Sequence, residues 1–410
     1  MPSKKKSSSA DSKFIPYEHL DKIGEISIYY GFLPMKSPSV TKSDLDAAKD
    51  VLEGDYVDDE TERHGKLPLH AEEKIAVMRM YQDNDLQSLP QPVMIYFKDP
   101  CRGSIKKSGY HRYADLEILG ASGAIAEATL IQTARVMLAE QGYSSTAVEI
   151  NSIGDRDSIA RFTRELTGYY RKNINSMTPE CRQLMKQDVF ELLASHSAGA
   201  REINEKAPRS MDFLSEISKR HLEETLEYLE TLQIPYMINN SLIGNRKYCS
   251  ETIFTITNTD STDKKTKQQR ILAVGVRYNG LAKRLGMKRD IPGVGISLLT
   301  PDTDPKLRKA VTKMRRPMAS FMQLGLESKL ISLEVIERLR QQKIPLYLSL
   351  AKDRLGAQVS SVEKYHTPYV IVMGKKEAVE RTAIVRKTET HAQEIVTLDN
   401  LAKHMKKIAG

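Results

Sequence analysis

The sequence predicts an α+β protein with a core built on an antiparallel sheet, a helical insertion within that core, and a small C-terminal α/β domain. Three observations predict it. Strand signals cluster at 252–257, 271–276 and 294–299, whereas 155–233 reads almost wholly as helix, so the two kinds of element are segregated. From residue 325 onward, strand and helix patterns alternate at short spacing, as in a small domain with a mixed sheet. The 410 residues also exceed what one hydrophobic core serves, so more than one unit is expected.

Taken in order, residues 1–15 read as a solvated basic tail, because Lys4, Lys5 and Lys6 are followed by serines and not by an apolar stretch. The core is expected over 16–322. Its first ordered segment, 26–40, is a helix end or a strand closing at Tyr30-Gly31-Phe32 and Pro38. Residues 44–52 look helical, and 54–66, with Asp55, Asp58, Asp59 and Glu60, read as an acidic loop. Over 72–81, Ile75, Met78 and Tyr81 recur at helical spacing.

Residues 92–97 form a short apolar strand, 102–112 a basic loop punctuated by glycine, and 115–119 a second strand. The clearest helix is 124–141, with Leu130, Ile131, Ala134, Met137 and Leu138 on one face and Gly142 as its stop. A strand follows at 146–150. The insertion, 155–235, carries amphipathic patterns at 158–172 and 219–232. The polar stretch 260–270 reads as a hairpin loop, and 300–322, rich in Pro, Asp and basic residues, as a linker. In 325–410 the order is helix 333–341, strand 344–350, helix 357–365, strand 368–373, hairpin 382–398 and helix 398–408.

Composition narrows the function classes. Forty per cent hydrophobic and 28% charged residues fit a globular protein, and no apolar run is long enough for a membrane span. Cys101, Cys181 and Cys249 include no CxxC pair, which supports neither a disulfide framework nor a zinc site and fits a reducing cytoplasm. The histidines lack ligand spacing, so no metal site is expected. A formal charge of +9 favours a polyanionic partner such as RNA. There is no Walker loop, no GxGxxG after a strand and no HExxH. Gly293-Val294-Gly295 is too short for a phosphate loop and reads as backbone crowding in the sheet.

Several stretches, in the right order, resemble the histidyl-tRNA synthetase family. Tyr30-Gly31-Phe32 with Pro38 resembles motif 1, which builds the dimer interface. His70-Ala71-Glu72-Glu73-Lys74, followed by Arg79 and Tyr81, sits where the family has Arg-Pro-Glu-x-Thr. Phe97-Lys98 through Glu117 resembles motif 2, two strands joined by a loop. Leu242 through Phe254 sits on the first histidine-specific motif, and Val276-Arg277-Tyr278-Asn279-Gly280-Leu281 on the second. Residues 325–410, including Gln358, Pro368-Tyr369 and Val372-Met373-Gly374, look like the anticodon-binding domain. The resemblance covers most of the chain and implies a class II synthetase-like core with that domain behind it.

The resemblance implies an ATP-dependent histidine–tRNA ligase, with Mg2+, histidine and tRNA as partners, working as a cytoplasmic homodimer. Lys98 takes the catalytic motif 2 position. Glu72 sits where the α-amino group is bound, and Glu117, Tyr278 and Tyr113 at amino-acid pocket positions. Lys98, Arg102 and Arg246 are the candidates for ATP. Lys375, Lys376, Arg381 and Arg386, with Lys387 nearby, form a basic cluster for tRNA phosphates, and Tyr347, Tyr365 and Tyr369 are available for base stacking.

The cationic clamp departs from the family. Charge builds on phosphate oxygens during amino-acid activation, and arginine suits them because its planar fork contacts two oxygens at once. Here Lys98 replaces the motif 2 arginine, Gly244 that of the first histidine motif, and Asp302 or a neighbour the motif 3 arginine. The motif 2 glutamine is Tyr113 and a second pocket tyrosine is Cys249. Losing one donor of this kind lowers the rate about 100- to 1000-fold. Arg246, two residues beyond Gly244, would be displaced by about 6–7 Å on an extended segment; Arg308, Arg112, Lys106 and Lys107 are further substitutes. Two readings stay open: a ligase with a divergent site, or a lapsed paralogue that binds tRNA or regulates. The structural alternative for Glu72, Glu117 and Tyr278 is a helix-surface pair, a water-facing strand residue and core packing.

Overall fold

Alternation along the strands decides what each face of the core sheet meets. In the computed structural model, which describes residues 14–16, 20–52, 70–97, 111–262, 269–300, 317–348 and 355–409, eight strands form the first sheet. They are β1 (Leu33–Met35), β2 (Val93–Phe97), β3 (His111–Leu119), β4 (Thr146–Gly154), β5 (Tyr236–Ile238), β6 (Ser250–Thr262), β7 (Gln269–Arg277) and β8 (Gly293–Thr300). The spatial order is β1-β2-β3-β8-β7-β6-β4-β5. Neighbours from β2 to β4 in that order are antiparallel, and the short strands at the two edges pair in parallel.

The β2 sequence Val-Met-Ile-Tyr-Phe is apolar throughout because both its faces are buried. Met94 and Tyr96 join the cluster beneath the Ile125–Glu140 helix, while Val93, Ile95 and Phe97 face the Ala71–Asp83 helix. On β3, Ala114, Leu116 and Ile118 pack into the first cluster, so the period of two sends Asp115 and Glu117 to the opposite face. On β8, Val294, Ile296 and Leu298 likewise take the helix-covered face, leaving Gly293, Gly295 and Ser297 on the other. Beside Glu117, therefore, β8 lines the sheet face with small residues.

The insertion folds as expected, with helices Arg156–Lys172 and Glu216–Thr231 as its long members. Phe162, Leu166, Tyr170, Cys181 and Phe190 form its own core. Sequence reading misses β5, which has only three residues and pairs in parallel with β4. The strands around 260–270 run longer than expected, to 262 and from 269, and the loop between them lies outside the described residues.

The second sheet contains β9 (Ala319–Gln323), β10 (Leu346–Leu348), β11 (Tyr369–Met373), β12 (Thr382–Lys387) and β13 (Gln393–Thr397), in the order β10-β9-β11-β12-β13. β10, β9 and β11 are parallel and β11, β12 and β13 antiparallel, which is the mixed sheet expected. β9 corrects the linker reading of 300–322: its five residues are all buried, and the sheet of this unit begins before residue 325. The composition of that interval is dominated by its polar residues, which hides a five-residue strand with only Ala319, Phe321 and Met322 apolar. A short helix, Lys375–Glu380, also stands where only a basic strand end was expected.

The two units share one apolar cluster, in which Ile23 and Leu130 join Leu333 and Ile336. Tyr30, completely buried, donates its hydroxyl to Glu337 Oε2 at 2.6 Å, and Arg340 holds the same carboxylate at 2.7 Å. Tyr30 and Phe32, expected at a dimer interface, are thus packed inside their own chain. The tail 1–13, the acidic loop 54–66 and most of the linker lie outside the described residues.

Candidate functional site

The Ala71–Asp83 helix is buried almost all round in its first two turns. Lys74, Met78 and Tyr81 share a face at spacings of four and three residues, so a lysine sits on an apolar stripe. Arg79 fixes the helix laterally: its guanidinium grips Asp44 in bidentate fashion at 2.9 and 3.0 Å and also reaches the Ser39 carbonyl at 3.0 Å. That anchor aims Lys74 at the sheet.

There Lys74 Nζ forms an ion pair with Glu117 Oε1, and the Tyr278 hydroxyl donates to Glu117 Oε2 at 2.6 Å. The ammonium also stands 5.4 Å from the Tyr278 ring centroid. Lys74 is 4% exposed, Glu117 1% and Tyr278 0%. Burial pulls the lysine toward neutrality, but the carboxylates of Glu117 and Asp115 outweigh it and raise its pKa. Gly293 and Gly295 make the arrangement possible, since a Cβ at the first would overlap the Tyr278 ring and at the second the Glu117 carboxylate. The glycine pair is backbone crowding, as the sequence indicated.

The flank of the site is closed by the segment that resembles the first histidine motif. Tyr248 and Cys249 are buried, and burial pushes the Cys249 thiol up to about 12, so it is not a nucleophile. A Cβ on Gly244 would come within 2.8 Å of Cys249 Sγ and 2.9 Å of Ile253 Cδ1, so the side chains around that position fill it. Glu72 is buried at the start of the helix, with His70 Nδ1 3.7 Å from its Oε1. It is not a helix-surface residue, and Glu117 does not face water.

Arg246 is not directed into this cluster. It binds Asp188 Oδ2 at 2.7 Å and lies 4.2 Å over the Phe190 ring, tying the motif to the helical insertion. Lys98, Arg102, Lys106, Lys107, Asp302 and Arg308 lie outside the described residues, as do the side chains of Arg112 and Tyr113. Among the described residues no group of three or more His, Cys, Asp or Glu is placed to hold a metal ion.

Sequence reading assigns no role to Lys74 or to the Arg277 side chain. Lys74 was legible as a lysine on an apolar helix face. Arg277, fully buried, crosses to the other side of the sheet and pairs with the equally buried Glu127 through Nε and Nη2, both at 2.6 Å. Thr252 at 2.5 Å and His221 at 2.8 Å complete the Glu127 carboxylate, and Arg277 Nη1 caps the Ala121 carbonyl at 2.8 Å. Burial alone would raise the Glu127 pKa; Arg277 and His221 reverse that and hold it far below the usual carboxylate range.

The basic cluster of the second unit is spread over the Lys375–Glu380 helix and β12. Lys375 pairs with Glu327 at 2.6 Å, Arg381 with Glu334 at 2.7 Å and Lys376 with Glu380 at 4.0 Å. Arg386 Nη2 lies 3.0 Å from His391 Nδ1. All four are exposed. Tyr347 and Tyr365 stack on each other with centroids 4.1 Å apart.

Residues 326–408 match the family described as an anticodon binding domain. The chain is similar to the histidine–tRNA ligase of Symbiobacterium thermophilum, 24% identical over 93% of this chain and 91% of the relative. It is similar to that of Fervidobacterium nodosum, 25% identical over 91% and 90%. Among solved structures it aligns with apo S. aureus histidyl-tRNA synthetase at a TM-score of 0.49, 21% identity and 94% of both chains. An antiparallel core sheet followed by an anticodon binding domain is the plan that the sequence resemblance to a class II synthetase-like protein implies. Over about nine tenths of its length the chain is similar to histidine–tRNA ligases, as a divergent relative of them. No helix among the described residues is long and apolar enough to cross a membrane.

Proposed function

We propose that this protein binds tRNA through its C-terminal unit and no longer charges it with histidine. The observation that carries the second half is the Lys74–Glu117–Tyr278 cluster: two of the side chains at the amino-acid pocket positions, Glu117 and Tyr278, are engaged by a lysine of the chain itself. The filled space at Gly244 and the engagement of Arg246 by Asp188 and Phe190 point the same way. ATP with Mg2+ belongs to the charging reaction alone; of its candidate residues, Lys98 and Arg102 lie outside the described residues and Arg246 is held by Asp188.

Support for the first half is the match of 326–408 to an anticodon binding domain together with the exposed Lys375, Lys376, Arg381 and Arg386. Salt partners at the surface exchange readily for phosphate, because exposed ion pairs are worth only about 0–1 kcal/mol. The reading includes a cytoplasmic homodimer, on the strength of the family likeness. The test is one reaction mixture of full-length protein, bulk tRNA, ATP, Mg2+ and radiolabelled histidine. Retention of tRNA on a filter without acid-precipitable histidine supports the reading, and charged tRNA refutes it.

A further inference from the structure

β13 is the longest edge strand of the two sheets. The other three edges, β1, β5 and β10, are three residues long; Phe14 bridges to Met35 of β1, and Leu348 of β10 lies against Gly31 of the core. β13 has five residues, Gln393-Glu394-Ile395-Val396-Thr397, with no proline, no lysine and no shift of register against β12. The bonds from Lys387 N to the Ala392 carbonyl and from Leu398 N to the Arg381 carbonyl show that the even-numbered residues aim their backbone groups at β12. Alternation then turns the N–H and C=O of Gln393 and Ile395, and the N–H of Thr397, to the open edge. We propose that β13 pairs antiparallel with β13 of a second copy of this chain, about a twofold axis through Ile395, joining two five-stranded sheets into one.

Three observations commit the edge to a second copy. The outward groups are symmetric about Ile395, so one surface is its own complement: the two Ile395 residues exchange both bonds, and each Thr397 N–H meets the Gln393 carbonyl of the other copy. The apolar row on the face of Ile395 is self-complementary too. Val372, Ile384 and Ile395 stand opposite one another across β11, β12 and β13. Val372 packs against the cluster that holds Val362 of the Leu355–Tyr365 helix, whereas Ile395 is 69% exposed; pairing seats one Ile395 beside the other. Charge agrees on the opposite face. There Glu394 falls opposite Val396 of the other copy, beside a Leu398–Ala409 helix whose Lys403 and Lys407 are exposed and whose His404 Nδ1 lies 3.9 Å from Glu394 of its own strand. Tyr30 and Phe32, which the resemblance puts at a dimer contact, are packed inside their own chain and supply none. A strand pair is a small interface, below about 1,200 Å2, so the association is reversible and concentration-dependent. The inference goes beyond the tRNA-binding reading and does not rest on it.

The experiment uses the full-length chain in a Cys101→Ser background, in which Cys181 and Cys249 are buried. It reads cross-linking under mild oxidation, beside sedimentation velocity over a concentration series. Ile395→Cys is expected to give a covalent dimer, because residues on the axis face each other at about 5.5 Å between Cα atoms. Gln393→Cys alone is expected to give none, since the two 393 positions stand about 14 Å apart, beyond disulfide reach. Gln393→Cys/Thr397→Cys, which pairs across the axis, is expected to restore the cross-link. Ile395→Lys, with an unchanged melting temperature, is expected to raise the Kd of association about tenfold or more by setting like charges opposite each other. No cross-link with Ile395→Cys, or equal cross-linking with Ile395→Cys and Gln393→Cys, overturns the proposal. Association that survives Ile395→Lys without the Ile395→Cys cross-link places the second copy elsewhere; that overturns the inference and keeps the homodimer of the functional reading. A monomer at every concentration removes both. Register-specific cross-linking in protein that also charges tRNA upholds the inference and removes only the lapsed-charging reading.

Discussion

Lys74 and Glu117 stand 43 residues apart in sequence and meet as a buried ion pair between a helix and the central sheet. Removing one partner of such a pair leaves an uncompensated charge and costs about 3–5 kcal/mol. Lys74→Met is expected to lower stability by that amount. Lys74→Met/Glu117→Gln is expected to lose less than the two single changes together, because it leaves no orphaned charge. Urea midpoints for the four proteins check this; simple additivity would mean that the two groups do not interact.

The Glu127–Arg277 pair makes a separate, pH-dependent claim. The folded Glu127 carboxyl is held below its unfolded value, so its stabilisation is complete above the ordinary glutamate pKa and is lost as pH falls below about 4.3. Wild-type stability should therefore decline between about pH 4.3 and pH 2 more steeply than that of Glu127→Gln. The variant, already lacking the charge, should start lower and titrate less over that window.

Much of this arrangement is legible in the sequence, and the parts that are not have identifiable causes. Glu117 can be placed on a face because Ala114, Leu116 and Ile118 alternate with it, and the helix carrying Lys74 is marked by Ile75, Met78 and Tyr81. That Lys74 pairs with Glu117 is a contact between distant elements, which periodicity does not encode. β9 escapes notice because its five residues include only three apolar ones, Ala319, Phe321 and Met322, behind a basic and proline-rich interval, and β5 because three residues carry no pattern. Arg277 looks like part of a pocket motif, yet the strand's alternation sends it to the face opposite Glu117, where Glu127 waits on a helix.

Restoring the family arginine should not restore activity. A side chain at Gly244 meets Cys249 Sγ at 2.8 Å and Ile253 Cδ1 at 2.9 Å from its first carbon. Gly244→Arg is expected to destabilise by about 1–3 kcal/mol through overpacking and to leave histidine charging at background. Denaturant melts and an aminoacylation assay on the same preparation check both halves.

The junction between the two units depends on Tyr30 and Glu337. Burial would raise the Glu337 pKa, but hydrogen bonds from Arg340 and Tyr30 lower it. Tyr30→Phe removes one bond to a charged group, worth about 1.5–3 kcal/mol. The C-terminal unit is expected to become more susceptible to limited proteolysis at its boundary with the core, as read by fragment size.

For tRNA, neutralising exposed basic groups should weaken binding in proportion to the phosphates they touch. Lys376→Ala/Arg386→Ala is expected to reduce the slope of log K against log salt by about 0.7–0.9 for each phosphate left without its cation. Fluorescence anisotropy over a salt series measures it; an unchanged slope would place the RNA elsewhere on the molecule.

Histidine-dependent exchange of pyrophosphate into ATP addresses the amino-acid pocket without any contribution from tRNA. With Lys74 seated against Glu117 and Tyr278, wild-type protein is expected to show no exchange above a histidine-free control. Exchange at a rate that rises and saturates with histidine would contradict a pocket occupied from within.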